Sequence, residues 1–169
     1  MTAARRVLVA GIGNVFLGDD AFGVEVVKRL AGRRLPEGVR VVDFGIRGLD
    51  LTYALLDGYE LVILVDATPR GRAPGTLYVL EPETRDDTGP ARAVLETHGM
   101  DPVKVLELAR VMGGRLPLLR VVGCEPATLG DPDTGAMGLS APVSAAVEGA
   151  VTLILSLLSQ VDLEAARHA

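Results

Sequence analysis

Short aliphatic runs alternate along the chain with segments whose apolar residues recur at helical spacing. The aliphatic runs are typical of buried β-strands and lie at residues 7–10, 39–43, 61–65, 76–80 and 118–122. The helical spacing and the Gly and Pro punctuation predict helices at residues 21–31, 49–56, 102–112 and 141–159. Residues 160–169 are expected to form a frayed tail. This alternation predicts a three-layer α/β/α fold with a mostly parallel sheet.

One connection between predicted strands is too short for a parallel arrangement. Nine residues, 66–74, and then Gly75 join the third strand to the fourth, whereas a parallel crossover needs about a dozen or more. The fourth strand is therefore expected to run antiparallel to the others. The helix predicted at 102–112 then begins at the carboxyl edge of the sheet, and the long segment 81–100 has to return to that edge.

Length and composition narrow the class of protein. The chain has 169 residues, which predicts a single domain over residues 1–169. Its 17 basic and 22 acidic residues give a net charge of −5, which argues against partners such as nucleic acid or anionic membranes. The single cysteine, Cys124, excludes an intramolecular disulfide and a Cys-rich zinc site. The longest apolar stretch, at 149–158, is short of the ~20 residues of a membrane span, so we expect a cytoplasmic protein.

Three residues with metal-binding side chains are expected at the carboxyl edge. Asp20 precedes the first predicted helix, Asp66 follows the third strand, and His98 lies near the end of the long segment. The predicted topology delivers all three to one edge, where open α/β sheets place their sites. Two carboxylates and one imidazole suit a borderline divalent metal such as nickel or zinc, with positions left open for another ligand.

A nucleotide site is a competing interpretation of the first of these segments. Gly11 and Gly13 follow the first strand as in a dinucleotide-binding Gly-x-Gly motif, but Phe16 stands where the third glycine belongs. Asp19 and Asp20 would also repel a phosphate at the start of the helix. A purely structural interpretation is that this acidic pair caps the helix.

Cysteine and glycine residues add two further candidates at this edge. Cys124 together with His98 and Asp66 imitates a thiol-protease triad, although a cysteine at the end of a strand more often packs as a small apolar side chain. Gly45 and Gly48 follow the second strand. Such glycines either allow a turn of positive φ or leave a wall without side chains, against which an extended peptide substrate can lie.

Taken together, these segments resemble the hydrogenase maturation endopeptidase family, whose members process the large subunit of nickel–iron hydrogenase. The resemblance is carried by GIGNVFLGDDAFG at 11–23, DFGIRG at 43–48, LVDA at 64–67, the segment around His98, and VGCEP at 122–126. It implies an α/β/α fold whose five-stranded mixed sheet has the order 2-1-3-5-4 with strand 4 antiparallel. The short connection between the third and fourth strands predicts the same antiparallel strand independently.

The resemblance also implies an activity and a set of site residues. Members of the family remove a short C-terminal peptide from the large-subunit precursor after nickel has been inserted, and the nickel in the precursor is the recognition signal. The metal-contacting and catalytic residues of the family correspond to Asp20, Asp66 and His98. Nickel is thus presented by the substrate, and other divalent metals can occupy the same site.

The sequence leaves alternatives open for both the mechanism and the class of function. The metal can polarise the scissile carbonyl or activate a water molecule. Alternatively, Asp20 or Asp66 acts as a general base while nickel only docks the precursor. The same contacts would serve a non-catalytic, metal-dependent escort that holds the precursor without cutting it. A nucleotide-binding module is the third class.

Overall fold

The computed structural model of the protein describes residues 4–82, 100 and 102–168. Within these residues, five strands form one sheet. The strands are β1 (Val7–Ile12), β2 (Val39–Gly45), β3 (Leu61–Ala67), β4 (Leu77–Leu80) and β5 (Leu118–Cys124). The α-helices of this part are α1 (Phe22–Ala31), α2 (Gly48–Leu55), α3 (Pro102–Val111) and α4 (Ala141–His168), and a 3-10 helix, Gly18–Ala21, precedes α1.

The strand order of the sheet is β2-β1-β3-β5-β4. β1 pairs in parallel with β2 and β3, and β3 pairs in parallel with β5, whereas β4 is antiparallel to β5. The expected mixed sheet and the antiparallel fourth strand are therefore confirmed. The carboxyl ends of the four parallel strands meet at one edge of the sheet, and β4 begins at that same edge.

Helices cover both faces of the sheet, and the central strand β3 is buried along its whole length. Ile63 and Val65 pack on the face that carries α1 and α4. Val62 and Leu64 pack on the opposite face, which carries α2 and α3. Because side chains alternate along a strand, Asp66 projects on the α2–α3 face at the carboxyl end of β3.

Two glycines let the start of α1 press against the carboxyl ends of the strands. A Cβ atom at Gly23 would lie 2.0 Å from the carbonyl oxygen of Val65 and 2.4 Å from that of Ile12. A Cβ atom at Gly13, where φ is +147°, would lie 1.8 Å from the carbonyl oxygen of Asp20. The absence of these side chains is what allows the 3-10 helix to lie directly over the end of β1 and close to β3.

The strands extend further toward the carboxyl edge than the aliphatic runs predict. Gly45 and Cys124 are the last residues of β2 and β5, and Asp66 lies within β3 rather than after it. Asp66 pairs with Gly123 of β5, and Gly123 pairs in turn with Tyr78 of β4. Strand pairing, and not a turn, therefore fixes the backbone of Asp66.

The C-terminal helix corrects one expectation. The predicted frayed tail is helical over its described residues, because α4 continues from Ala141 to His168. No Gly or Pro interrupts the sequence after residue 149, and Val161 packs against the core.

The stretch Ala141–Asp162, with mean hydropathy 1.8, is long and apolar enough by composition to cross a membrane. Some of its residues, such as Val147 and Ile154, are buried in the core, and 33% of its apolar window is buried overall.

Candidate functional site

Two of the three predicted site residues meet at the carboxyl edge. Asp20, in the 3-10 helix, is 2% exposed and Asp66, near the end of β3, is 4% exposed. Oδ2 of Asp20 accepts a hydrogen bond of 2.9 Å from the backbone N–H of Asn14. The 3-10 helix contacts β3, and the two carboxylates are close enough for the charge of Asp20 to influence Asp66. The folded chain thus gathers two carboxyl groups at a buried position.

The carboxylate of Asp66 is incompletely satisfied. Its Oδ1 atom is buried and has no hydrogen-bond partner within the described residues. Burial raises the pKa of Asp66 well above its ordinary value of 3.8, and the charge of Asp20 raises it further, while a hydrogen bond from the N–H of Ala67 acts in the opposite direction. A buried polar atom without a partner is uncommon in folded proteins. A cation at this position would satisfy it.

The third predicted ligand, His98, lies outside the described residues. Across residues 4–82, 100 and 102–168, no group of three or more His, Cys, Asp or Glu side chains could hold a metal ion. What the described part supplies is the pair Asp20 and Asp66. The full three-residue set remains a prediction.

Asp19 has a different role from its neighbour Asp20. Its side chain is fully buried and accepts hydrogen bonds from the N–H groups of Ala127 (2.8 Å), Thr128 (3.1 Å) and Ser140 (2.7 Å), and from the hydroxyl of Ser140 (2.8 Å). Neither Asp19 nor Asp20 caps the 3-10 helix or α1, because no side-chain capping bond forms at either of them. The helix-cap interpretation is therefore wrong, and Asp19 instead fastens the segment 127–140 beneath the site.

The glycines of the Gly-x-Gly segment allow close packing within the protein and do not form a phosphate-binding site. The carbonyl of Asp20 occupies the space beside Gly13, and the carboxylate of Asp20 already accepts the N–H of Asn14. A phosphate would need free N–H donors and no nearby carboxylates at this point. The geometry therefore argues against the nucleotide site.

The two glycines predicted to contact a substrate both have structural reasons to be glycine. Gly45 has a φ of +54°, in the left-handed region that favours glycine. A Cβ atom at Gly48 would lie 3.3 Å from Cγ2 of Val105 and 3.6 Å from Cγ of Met100, so that glycine allows α2 to approach α3. Contact of either glycine with a peptide substrate remains a prediction.

Cys124 is poorly suited to act as a nucleophile. Its side chain is fully buried in the α1–α4 core. Burial, followed by the charges of Asp19 and Glu125, raises the pKa of its thiol to about 12. Because the thiolate is the reactive form, a thiol of this kind is inert near neutral pH. The structure favours the interpretation of Cys124 as a packed apolar side chain.

Glu125 is an important residue of this edge that the sequence did not single out. It is 5% exposed, and its carboxylate accepts hydrogen bonds from the N–H groups of Arg70 (2.8 Å) and Gly71 (3.0 Å) and from the hydroxyl of Tyr78 (2.6 Å). Burial alone would raise the pKa of Glu125, but these hydrogen bonds outweigh it and hold the pKa below its ordinary value of 4.5. The one available signal was its place in VGCEP, directly after a strand that ends at the carboxyl edge.

Comparisons with known proteins agree with this architecture. The sequence model of the hydrogenase maturation protease family matches residues 24–157. The chain is 38% identical over 131 residues to the hydrogenase expression/formation protein HupD of Rhodobacter capsulatus, covering 75% of this chain and 60% of that one. It is 32% identical over 163 residues to the hydrogenase 2 maturation protease of Escherichia coli, covering 95% and 94% of the two chains.

A solved structure extends the likeness to the fold. The hydrogenase maturating endopeptidase HybD from Escherichia coli superposes with a TM-score of 0.72 at 31% identity, covering 92% of this chain and 93% of that chain. The match includes the five-stranded mixed sheet with its antiparallel strand. The chain therefore belongs to the hydrogenase maturation protease family and is a peptide hydrolase.

Proposed function

We propose that the protein removes a C-terminal peptide from the large-subunit precursor of a nickel–iron hydrogenase, and that Asp20, Asp66 and His98 engage the nickel ion carried by that precursor. The observation that supports this most directly is the buried Oδ1 atom of Asp66, which lacks a hydrogen-bond partner in the described residues. Membership of a maturation protease family supports the substrate class.

The electrostatics of the pair favour a cation that arrives from outside. Two ionised carboxylates in a site of low dielectric repel each other, and each is deprived of hydration. A divalent ion held between Asp20 and Asp66 would relieve both penalties at once. Carboxylate and imidazole ligands suit a borderline ion such as Ni²⁺. We therefore treat nickel as part of the substrate, bound by this chain only while the precursor is docked.

Docking through the metal would bring the peptide bond beside two carboxylates. In the hydrolysis, a water oxygen bonds to the carbonyl carbon, the C–N bond breaks, and a proton passes to the departing amine. A carboxylate within hydrogen-bond reach of the water can accept its proton, and such general-base assistance contributes roughly 100- to 10,000-fold. The chain thus supplies both the anchor for the metal and a base for the water.

Intact-mass analysis of a nickel-loaded large-subunit precursor, incubated with the purified protein, tests the proposal. We expect the mass to fall by that of a C-terminal peptide, with no change for nickel-free precursor. Asp20→Asn is expected to lower the cleavage rate at least ~100-fold, because it removes one charge from the pair. Asp162→Asn, which changes an exposed carboxylate on α4, is the matched control and is expected to cleave normally.

Two other results, one from this experiment and one from thermal melting, would contradict the proposal. A stable complex with unchanged precursor mass would indicate an escort without catalytic activity. An increase in melting temperature with a dinucleotide, and none with nickel-loaded precursor, would instead favour a nucleotide-binding module.

Substituting Cys124 by alanine is expected to leave cleavage within about twofold of the wild-type rate, because a buried thiol with a pKa of about 12 takes no part in the reaction. The melting temperature should fall by a few degrees, since the sulfur fills core volume. The rate and the melting curve are measured on the same preparation. A variant that remains folded but no longer cleaves the precursor would restore the thiol mechanism.

A further inference from the structure

The connection between β3 and β4, residues 68–76, is named here the arginine loop because it carries Arg70 and Arg72. It begins two residues after Asp66, at the carboxyl edge, and both arginines are exposed. We propose that the arginine loop binds a carboxylate of the peptide that is removed and so helps to select the substrate. This inference rests on the proposed function.

The loop is held rigidly from within. The carboxylate of Glu125 accepts the N–H groups of Arg70 and Gly71 at the middle of the loop. At its two ends, the N–H of Thr68 donates to the carbonyl of Cys124, and the N–H of Glu125 donates to the carbonyl of Thr76, both at 2.8 Å. A binding element that is fixed before the ligand arrives loses little entropy on binding.

The arginines are not needed to neutralise Glu125. That carboxylate is satisfied by backbone N–H groups and the hydroxyl of Tyr78. The guanidinium of Arg70 lies over the ring of Tyr78, 5.4 Å from the ring centroid. Within the described residues, neither Arg70 nor Arg72 forms an ion pair, whereas Arg29 and Arg33 both pair with Glu148. The positive charge of the loop is therefore available to a ligand.

The register of the sheet places this charge near the carboxylate pair. Asp66 and Tyr78 both pair with Gly123, from opposite sides of β5. Residues that are directly opposite in a sheet project on the same face, and neighbouring strands are about 4.8 Å apart, so the Cα atoms of Asp66 and Tyr78 are roughly 10 Å apart. The side chain of Thr68 fills the space beside Gly123, since a Cβ atom at Gly123 would lie 2.3 Å from Oγ1 of Thr68. Through its contact with the ring of Tyr78, Arg70 lies on the same face of the sheet as Asp66.

This spacing indicates which part of the substrate meets the loop. An extended peptide advances about 3.3 Å per residue, so the roughly 10 Å between the Cα atoms of Asp66 and Tyr78 is the length of about three extended residues. The removed peptide carries a carboxylate at its own C-terminus and at any acidic side chain. Guanidinium groups form short, charge-assisted hydrogen bonds with carboxylates. The chemistry that the loop recognises is thus a carboxylate of the removed peptide.

Kinetics of the double variant Arg70→Gln/Arg72→Gln on nickel-loaded precursor test the inference. We expect KM to rise about tenfold, with kcat within about twofold and the melting temperature unchanged. The variant with both arginines replaced by lysine should recover most of the loss, because it keeps the charge. Arg34→Gln, which changes an exposed arginine, is the control and should leave KM unchanged.

Precursor variants identify the source of the carboxylate. Acidic side chains of the C-terminal peptide are replaced by their amides in one arm, and the terminal carboxylate is amidated in the other. One of these two precursor variants lacks the carboxylate that the loop recognises. With that precursor, the KM of the wild-type protein should rise, and the double glutamine variant should have no higher KM than the wild type. An unchanged KM in that double variant, or an increase that persists with every neutralised precursor, would overturn the inference. Failure of the wild type to cleave any nickel-loaded precursor would remove the proposed function, and this inference with it.

Discussion

Replacing Asp66 with asparagine should abolish cleavage while making the folded protein more resistant to heat near neutral pH. Asparagine has nearly the shape of aspartate but carries no charge, so the site loses half of its negative pair and cleavage should fall at least ~100-fold. The same charge is unfavourable for folding, because burial and the neighbouring Asp20 raise the pKa of Asp66. Functional sites commonly sacrifice stability in this way.

The stability effect has a definite pH dependence. Because the native pKa of Asp66 is raised, its contribution to stability is fully present below its ordinary pKa of 3.8 and is lost as the pH rises through the native value. Asparagine does not titrate, so the melting temperature of Asp66→Asn relative to wild type should increase over that interval. Differential scanning calorimetry at several pH values measures it, with Asp162→Asn as the control. A constant difference at every pH would contradict the electrostatic account.

Much of the fold could be predicted because its signals are local. The aliphatic run at 61–65 is enough to identify a strand buried on both faces. The nine residues 66–74 exclude a parallel crossover, and β4 is indeed antiparallel. Strand ends were less predictable. Gly45, Asp66 and Cys124 do not continue the aliphatic pattern, yet pairing with neighbouring strands extends β2, β3 and β5 to include them.

The C-terminal end of α4 shows the same limitation. Its sequence contains strong helix formers, but the pattern of large apolar residues weakens after residue 158. The helix continues because nothing breaks it and because Val161 still finds a partly buried position against the core. Whether such a segment frays depends on contacts with distant residues, which periodicity does not reveal.

The candidate site, like the fold, could be predicted only in part from the sequence. The approach of Asp20 to Asp66 could be predicted from topology alone. Asp20 precedes α1 and Asp66 lies near the end of β3, and both positions are at the same edge of the sheet. The roles of Asp19 and Glu125 could not be predicted, because each depends on partners far along the chain. Asp19 binds backbone groups 108 to 121 residues away, and Glu125 binds groups 47 to 55 residues away. Adjacent residues of one acidic pair thus differ: Asp19 fastens the segment 127–140, whereas Asp20 lies near Asp66, where we propose that it engages the metal.

Replacing Asp19 with alanine should produce the largest loss of stability among the substitutions considered. The fully buried carboxylate accepts four hydrogen bonds, from Ala127, Thr128 and twice from Ser140. Removing it leaves three backbone N–H groups without their acceptor, and each such group costs about 1–3 kcal/mol. We expect the free energy of unfolding to fall by about 3–5 kcal/mol. For a chain of this size, this lowers the melting temperature by roughly 10 °C.

The control for this prediction lies in the segment that Asp19 fastens. Asp131 is exposed, and its carboxylate accepts one hydrogen bond, from the N–H of Asp133. Asp131→Ala should therefore change the free energy of unfolding by less than about 1 kcal/mol. Urea unfolding of the two variants and the wild type measures both values. Similar losses for Asp19→Ala and Asp131→Ala would show that the buried carboxylate does not fasten the segment 127–140. A large loss for Asp19→Ala alone would show that the folding of this edge depends on the buried carboxylate of Asp19.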